Sequence, residues 1–275
     1  MVLYYNKDIF DMFGIDYPVD GMFWSEAIDL GNRITREENG TIYLGLAVSQ
    51  SHIMRTNPFS LPYIDPGTGK ATINDEKWKR LFETIYIAPT QHDAYKKYIQ
   101  ENNNKVPFDG EFLQKKNLAM FGFLSGAASE KWNEMNWDMV ALPTFEEAPG
   151  IGSQSYPTYF SVTSVSSQPD AAMQVIKFLT SDEFQMKISK QGIMPVVTDE
   201  KIIKAFGEES PLNIDNFGAV FYNKFAPIPN KTVLDSKVEK IFRQDITDLI
   251  MGNTDVNTAL MKAEQEANQA LEAEQ

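Results

Sequence analysis

The stretch that decides the fold runs from Tyr159 to Pro195, YFSVTSVSSQPDAAMQVIKFLTSDEFQMKISKQGIMP. Residues 160–165 are rich in aromatic and β-branched side chains, which predicts a strand. Pro169 stands where a helix can begin without losing a hydrogen bond, and apolar residues at helical spacing follow it. Ser181 is the expected N-cap of a second helix, which Gly192 ends. The stretch therefore predicts a strand followed by two helices.

The order of these motifs resembles the sugar-type (family 1) extracellular solute-binding proteins of bacterial ABC transporters. Members of that family typically carry "S…P-(D/E)-A-A", then "FL-T/S-x-E-x-Q" and then "G-x-x-P". In this chain the same motifs are Ser167 to Ala172, Phe178 to Gln185 and Gly192 to Pro195. The resemblance rests on the order and spacing of the three motifs together.

Residues 3–5 predict a short strand, and Asn6 is expected to cap a brief helix over residues 7–13 that Gly14 ends. Residues 3–10, LYYNKDIF, resemble the same family's "L-x-Y-N-K-D-L-F" motif and form the most specific match in the chain. In that family the motif lies just after the crossing from the N-terminal lobe to the C-terminal lobe. The resemblance therefore implies a C-terminal fragment that lacks most of the N-terminal lobe. The implied fold class is α/β: a periplasmic-binding-protein-like (type II) C-terminal lobe with a mixed sheet flanked by many helices, plus a segment that returns to an incomplete N-terminal lobe.

The resemblance implies three parts. Residues 1–158 would form the first part of the C-terminal lobe, residues 159–198 a crossover segment belonging to the N-terminal lobe, and residues 199–275 the helical remainder of the C-terminal lobe. In the last part, Thr232 is expected to cap one long helix that ends at Gly252. A crossover segment without its own lobe exposes apolar surface, so we expect self-association of the fragment or displacement of that segment.

Composition excludes several classes of function. The 275 residues carry a formal net charge of −13, which repels phosphate backbones, so nucleic acid is not an expected partner. Cysteine is absent, which excludes thiolate catalysis and cysteine-ligated metals. His52 and His92 lie far apart and form no metal-binding pattern. Asp65 to Glu76 matches a calcium loop poorly, because glycines replace oxygen ligands. We expect neither a metal nor a cofactor.

The sequence contains no motif that identifies a catalytic site. Gly150 to Ser155 begins like a dinucleotide fingerprint, but Ser155 occupies the third glycine position. Carboxylates are abundant enough to supply a glycosidase pair, although no local pattern selects two of them. A carbohydrate-active hydrolase on an α/β scaffold is therefore the alternative, while we expect a protein that is not an enzyme.

Sugar recognition needs aromatic rings for C–H faces and polar side chains for hydroxyl groups. Three loops that follow strands combine both: residues 49–52, residues 121–125 and residues 156–159. The resemblance places all three at the cleft. In the family the second loop often carries a tryptophan that stacks on sugar. The corresponding residues of this chain, Gly122 to Gly126, include no tryptophan, so the sequence does not decide the class of solute. For Phe121 and Phe123, packing is the alternative role, because one of them must face the core, and Tyr159 can also belong to the core. The candidate ligand-binding residues are Ser49, Gln50, Ser51, His52, Phe121, Phe123, Ser125, Tyr156 and Tyr159.

The resemblance also implies a role and a location. The protein would capture an oligosaccharide or another polyhydroxylated solute by hinge closure of two lobes, without catalysis. The alternative for a fragment is that it has no ligand function, because half of the cleft is missing, and that binding returns when the upstream sequence is restored. Its partners would be that solute and the membrane subunits of an ABC permease. The implied location is extracellular in a Gram-positive bacterium, with the full-length form anchored as a lipoprotein and the anchor absent from this chain.

Overall fold

A five-stranded sheet in the order β2-β3-β4-β1-β5 forms the centre of the computed structural model, which describes residues 1–274. The strands are β1 (Val2–Asn6), β2 (Arg36–Glu38), β3 (Thr41–Val48), β4 (Leu118–Phe123) and β5 (Trp137–Ala141). β3 and β4 pair in parallel, whereas β1 runs antiparallel to both β4 and β5. The carboxyl ends of β3, β4 and β5 therefore lie at the same edge of the sheet.

The first half of the chain contains six helices, and four of them contact the sheet. The six helices are α1 (Lys7–Phe13), α2 (Trp24–Ile34), α3 (Gln50–Arg55), α4 (Glu76–Phe82), α5 (Asp93–Glu101) and α6 (Asp109–Leu113). A π-helical turn, Glu83–Ile87, continues α4, and 3-10 turns cover Ala88–Thr90, Ser125–Ala127 and Glu130–Glu134. Every residue of β1 and β5 is buried, which is the pattern of strands covered on both faces.

The second half is mainly helical. Its helices are α7 (Pro169–Leu179), α8 (Asp182–Lys190), α9 (Glu200–Lys204), α10 (Ala219–Tyr222), α11 (Asp235–Phe242), α12 (Ile246–Met251) and α13 (Val256–Glu272). A short parallel pair, β6 (Ile151–Gln154) and β7 (Lys224–Ala226), connects the two halves. The helix α10 contacts β5, so the second half packs back onto the central sheet.

The residues at the start of the chain behave as their sequence predicts. β1 carries the predicted strand, and the side chain of Asn6 accepts a hydrogen bond from the Asp8 amide at the start of α1. Gly14 ends α1 with φ +61°, a left-handed conformation that favours glycine. The backbones of α2 and β3 approach each other closely at Gly31 and Gly45, where a Cβ on Gly45 would lie 2.0 Å from the Gly31 carbonyl oxygen.

The predicted single helix from Thr232 to Gly252 is wrong. The chain forms α11 and α12 instead, with a break at residues 243–245. Both helices keep their apolar residues in the core, including Phe242 at the end of the first and Ile246 at the start of the second. The helical period of the sequence continues across the break, so only the tertiary packing reveals it.

Residues 159–195 form the two predicted helices but not the predicted strand. Residues 160–165 form no strand, and Phe160 and Val165 are 66% and 89% exposed. The N–H and C=O groups of a strand need hydrogen-bond partners on an adjacent strand. Within residues 1–274, no strand lies beside residues 160–165 to supply them. α7 begins at Pro169 and Ser181 caps α8, as predicted. The assignment of residues 159–198 to an N-terminal lobe stays a prediction.

Candidate functional site

The candidate site lies at the edge where β3, β4 and β5 end. Ligands of open α/β sheets bind beyond the carboxyl ends of their strands. α3 begins directly after β3, and the loop at Ser125 follows β4. The Ser49 amide donates a 2.9 Å hydrogen bond to the Gly122 carbonyl, which holds these two loops side by side. Parallel pairing of β3 and β4 therefore brings two of the predicted loops together.

Residues from all three predicted loops meet at His52. Its ring centroid lies 5.0 Å from that of Phe123 and 6.0 Å from that of Tyr156, with interplanar angles of 82° and 88°. The Ser49 hydroxyl lies 2.7 Å from His52 Nδ1 and orients the ring. Gln50 and Ser51 lie beside it in α3 and are half-buried. This arrangement offers ring surfaces and polar atoms at one place, which are the two surfaces that a sugar needs.

Three of the candidate residues differ from the others in their exposure: Phe121 and Ser49 are buried, and Tyr159 is largely exposed. Phe121 is fully buried and stacks on Phe123 at 5.1 Å, because residues two apart on a strand share a face. The side chain of Ser49 is buried beneath His52, so Ser49 positions the imidazole ring. Tyr159 is 82% exposed, and within residues 1–274 its ring pairs with none of the aromatic rings around His52. The ligand-binding roles of all nine residues stay predictions.

The sequence did not single out a buried ion-pair network beneath α3. Glu239 is 1% exposed and accepts hydrogen bonds from Arg55 Nε, from Arg55 Nη2 at 3.2 Å and from Arg243 Nε at 3.1 Å. The pair of Glu239 and Arg243 is visible in the sequence as an i,i+4 spacing. Arg55 is 184 positions from Glu239, so only the fold reveals that the network ties α3 to α11.

The electrostatics of the site favour a neutral imidazole. Burial lowers the pKa of His52, and the positive charge of Arg55 lowers it further. The hydrogen bond from Arg55 to Glu239 raises the pKa of Arg55, so this guanidinium stays charged. A neutral His52 has one nitrogen that donates and one that accepts, which suits a hydroxyl group.

Two cavities flank the Arg55–Glu239–Arg243 network, and both have the volume of a small-molecule site. One measures about 390 Å³ and is lined by Tyr156 and Arg55 together with residues 228–239. The other measures about 520 Å³ and is lined by Ser49 to Ser51, by residues 104–108 and by Arg243. Phe108 is an aromatic residue that the sequence did not indicate, with its ring 5.5 Å from that of Phe123.

The structure contains no feature of a metal site or a membrane span in the part that it describes. Residues 1–274 hold no group of three or more histidines and carboxylates placed to bind a metal ion. None of the helices within those residues has the length and hydropathy needed to cross a bilayer. Asp65 Oδ1 accepts hydrogen bonds from the amides of Gly67 and Thr68, so it closes a tight turn.

The chain matches one family model and many solved structures. The model for bacterial extracellular solute-binding proteins matches residues 1–186. A sugar transporter from Rhizobium etli in an open conformation has a TM-score of 0.70 at 18% identity, over 97% of this chain and 69% of that chain. A cyclic alpha-maltosyl-1,6-maltose binding protein from Arthrobacter globiformis gives 0.67 at 18% identity, over 99% and 70%. An ABC substrate-binding protein from Listeria monocytogenes, in complex with cycloalternan, gives 0.66 at 15% identity, over 98% and 69%. No curated protein sequence matches the chain.

These similarities confirm the family resemblance, the fold class and the absence of catalysis that the sequence analysis predicts. The structural matches confirm the α/β, periplasmic-binding-protein-like fold class. The matching family consists of substrate-binding proteins without catalytic activity, which confirms the prediction that the protein is not an enzyme. The family match extends over 186 of the 275 residues and includes the strand ends that carry the candidate site. The chain therefore belongs to the family of bacterial extracellular solute-binding proteins.

Proposed function

We propose that this chain is the solute-capturing component of an ABC import system, and that its solute is an oligosaccharide or another polyhydroxylated molecule. The observation that carries the proposal is the meeting of His52, Phe123 and Tyr156 at the carboxyl ends of the strands. These residues come from three separate loops, so the fold builds a site from segments that are distant in sequence.

The chemistry of this cluster fits a molecule with apolar faces and polar edges. Tyr156 is 54% exposed and Phe123 is half-buried, so both rings keep surface for the C–H face of a sugar. A neutral His52 and the half-buried Gln50 and Ser51 supply donors and acceptors for hydroxyl groups. Arg55 and Lys231 add fixed donors at the neighbouring cavity, where Lys231 Nζ donates to the Arg55 carbonyl at 3.0 Å.

Proteins with a similar fold support the class of solute. The Listeria monocytogenes protein is in complex with cycloalternan, and the Arthrobacter globiformis protein binds cyclic alpha-maltosyl-1,6-maltose. Both ligands are oligosaccharides. In our proposal the chain captures such a solute by hinge closure and passes it to the membrane subunits of a permease, outside the cytoplasm. Anchoring of the full-length form as a lipoprotein is part of the same proposal.

Isothermal titration calorimetry with maltotriose, cycloalternan and D-mannitol tests the proposal. We expect at least one of these compounds to bind, and we expect His52→Ala to weaken its binding about tenfold, because the imidazole supplies hydrogen bonds to hydroxyl groups. His92→Asn is the matched control, since His92 caps α5 and asparagine also caps helices well. The proposal fails if none of the three compounds binds, or if His52→Ala binds as tightly as the original chain.

A further inference from the structure

We propose that the 520 Å³ cavity beside α3 binds an anionic group of the solute, either a carboxylate or a phosphate ester. This inference rests on the proposed function, because the cavity shares Ser49, Gln50 and Ser51 with the candidate site. A solute held at His52 therefore lies next to the cavity, and one of its substituents can enter it.

The charge of this cavity is opposite to that of the whole chain. The chain has 38 acidic and 25 basic residues, so its surface is predominantly negative. The cavity lining nevertheless includes two cations, Lys105 and Arg243, and no aspartate or glutamate. A cavity with cationic and neutral polar walls attracts an anion even on an acidic protein, because local charges dominate at short range.

Lys105 has no counter-charge in the structure. Its side chain is exposed, and it forms no ion pair with any of residues 1–274. The backbone around it is fixed: Asn103 and Asn104 have φ of 56° and 58°, and the Lys105 amide donates to the Asn102 carbonyl at 3.2 Å. Asparagine tolerates this left-handed conformation better than most residues do, so the turn holds Lys105 at the cavity with little strain.

Arg243 keeps donors for a ligand although it pairs with Glu239. Only its Nε bonds to that carboxylate, at 3.1 Å, and its terminal nitrogens form no hydrogen bond with residues 1–274. Glu239 also neutralises Arg55, so two guanidinium groups share one carboxylate and leave a net charge of +1. A guanidinium with free terminal nitrogens recognises the planar oxygens of a carboxylate or a phosphate.

Neutral polar side chains complete the cavity. Ser51 and Thr247 line it and carry hydroxyl groups that donate to an anion's remaining oxygens. A neutral sugar would leave Lys105 without a counter-charge, whereas a uronate or a sugar phosphate would place an anion beside both cations. The cavity therefore favours a charged glycan over its neutral counterpart.

The cavity itself is tested with small anions. Inorganic phosphate and acetate are titrated into the ¹⁵N-labelled chain at low ionic strength, and amide shifts are followed by NMR. We expect saturable shifts at Ser51, Lys105 and Thr247, and Lys105→Glu should weaken phosphate binding about tenfold because it reverses one charge at short range. Lys177→Glu on α7 is the matched control, since Lys177 is exposed and forms no ion pair with residues 1–274. Absence of saturable shifts at these amides overturns the anion site.

The link to the solute is tested with three matched glycans. Calorimetry compares maltotriose, its C6-carboxylate form made by oxidation, and maltotriose 6-phosphate. We expect one charged form to bind at least about tenfold more tightly than maltotriose, and Lys105→Glu to remove this preference. The charged form that gains affinity distinguishes carboxylate from phosphate. Equal affinity of all three glycans leaves the proposed function intact and overturns this inference. Absence of binding by all three also overturns this inference, and the proposed function is then decided by the titrations with cycloalternan and D-mannitol.

Discussion

The substitution Glu239→Gln probes whether the buried ion-pair network holds the candidate site in place. Glu239 belongs to α11, and Arg55 belongs to α3, which carries Gln50 to His52. The carboxylate is 1% exposed, whereas the Arg55 side chain is 38% exposed. Because one carboxylate accepts from two arginines, the network is the main polar connection between α3 and α11 in the described residues.

The expected loss of stability follows from the hydrogen bonds of this carboxylate. Glutamine keeps one carbonyl oxygen, which can replace Glu239 Oε1 as acceptor for Arg55 Nη2 and Arg243 Nε. Its amide nitrogen then faces Arg55 Nε, so two donors oppose each other and one hydrogen bond is lost. Bonds to charged groups contribute about 1.5–3 kcal/mol and neutral ones about 1 kcal/mol. After a discount for the solvent around Arg55, we expect a loss of about 2 kcal/mol in the free energy of unfolding.

Urea unfolding followed by tryptophan fluorescence measures this loss. The four tryptophans are all buried, so their emission reports the packed state. Glu183→Gln is the control, because Glu183 is exposed on α8 and forms no ion pair with residues 1–274. We expect the control to stay within about 0.5 kcal/mol of the original chain. A Glu239→Gln variant as stable as the control would refute the view that this network fixes α3, and solute binding by the variant should weaken if the view is correct.

Three further predictions concern packing, acid stability and association. Gly45→Ala should lose about 3 kcal/mol or more of stability in urea, because its Cβ would lie 2.0 Å from a backbone oxygen, while Gly126→Ala, in open space, should change little; equal stabilities would contradict this. The pKa of His52 is lowered in the folded state, so the unfolded chain binds the proton more tightly. Stability should therefore fall as the pH drops from about 6.5 through that lower pKa, and His52→Gln should flatten this part of the pH profile in urea titrations; an unchanged profile would exclude His52 as the cause. Light scattering should show association at high concentration through α7, where Val175 and Phe178 are 58% and 49% exposed, and Val175→Asp should reduce it; a constant monomer mass of 31.2 kDa would contradict this expectation.

Some parts of the fold follow from short segments of sequence because local chemistry determines them. Asn6 and Gly14 bound α1, and Ser181 caps α8, as their side chains and allowed conformations predict. The predicted strand at residues 160–165 did not form, since β propensity becomes a strand only when a partner accepts its hydrogen bonds.

Part of the candidate site was also within reach of the sequence. Polar and aromatic residues after strands indicated the loops at His52, Phe123 and Tyr156, and these residues do meet. The sequence could not show that Phe121 lies behind Phe123, because the face of a buried strand depends on what covers each side.

The sequence by itself determined both ends of α1, the starts of α7 and α8, the position of β1 and the three loops, because caps, breakers and apolar runs act over a few residues. The tertiary structure alone decided which distant groups share a site. Arg55 reaches Glu239 across 184 positions, and Lys105 joins Arg243 around one cavity. Such contacts depend on how β3 is placed beside β4 and how α11 packs on α3, and no local pattern specifies those arrangements.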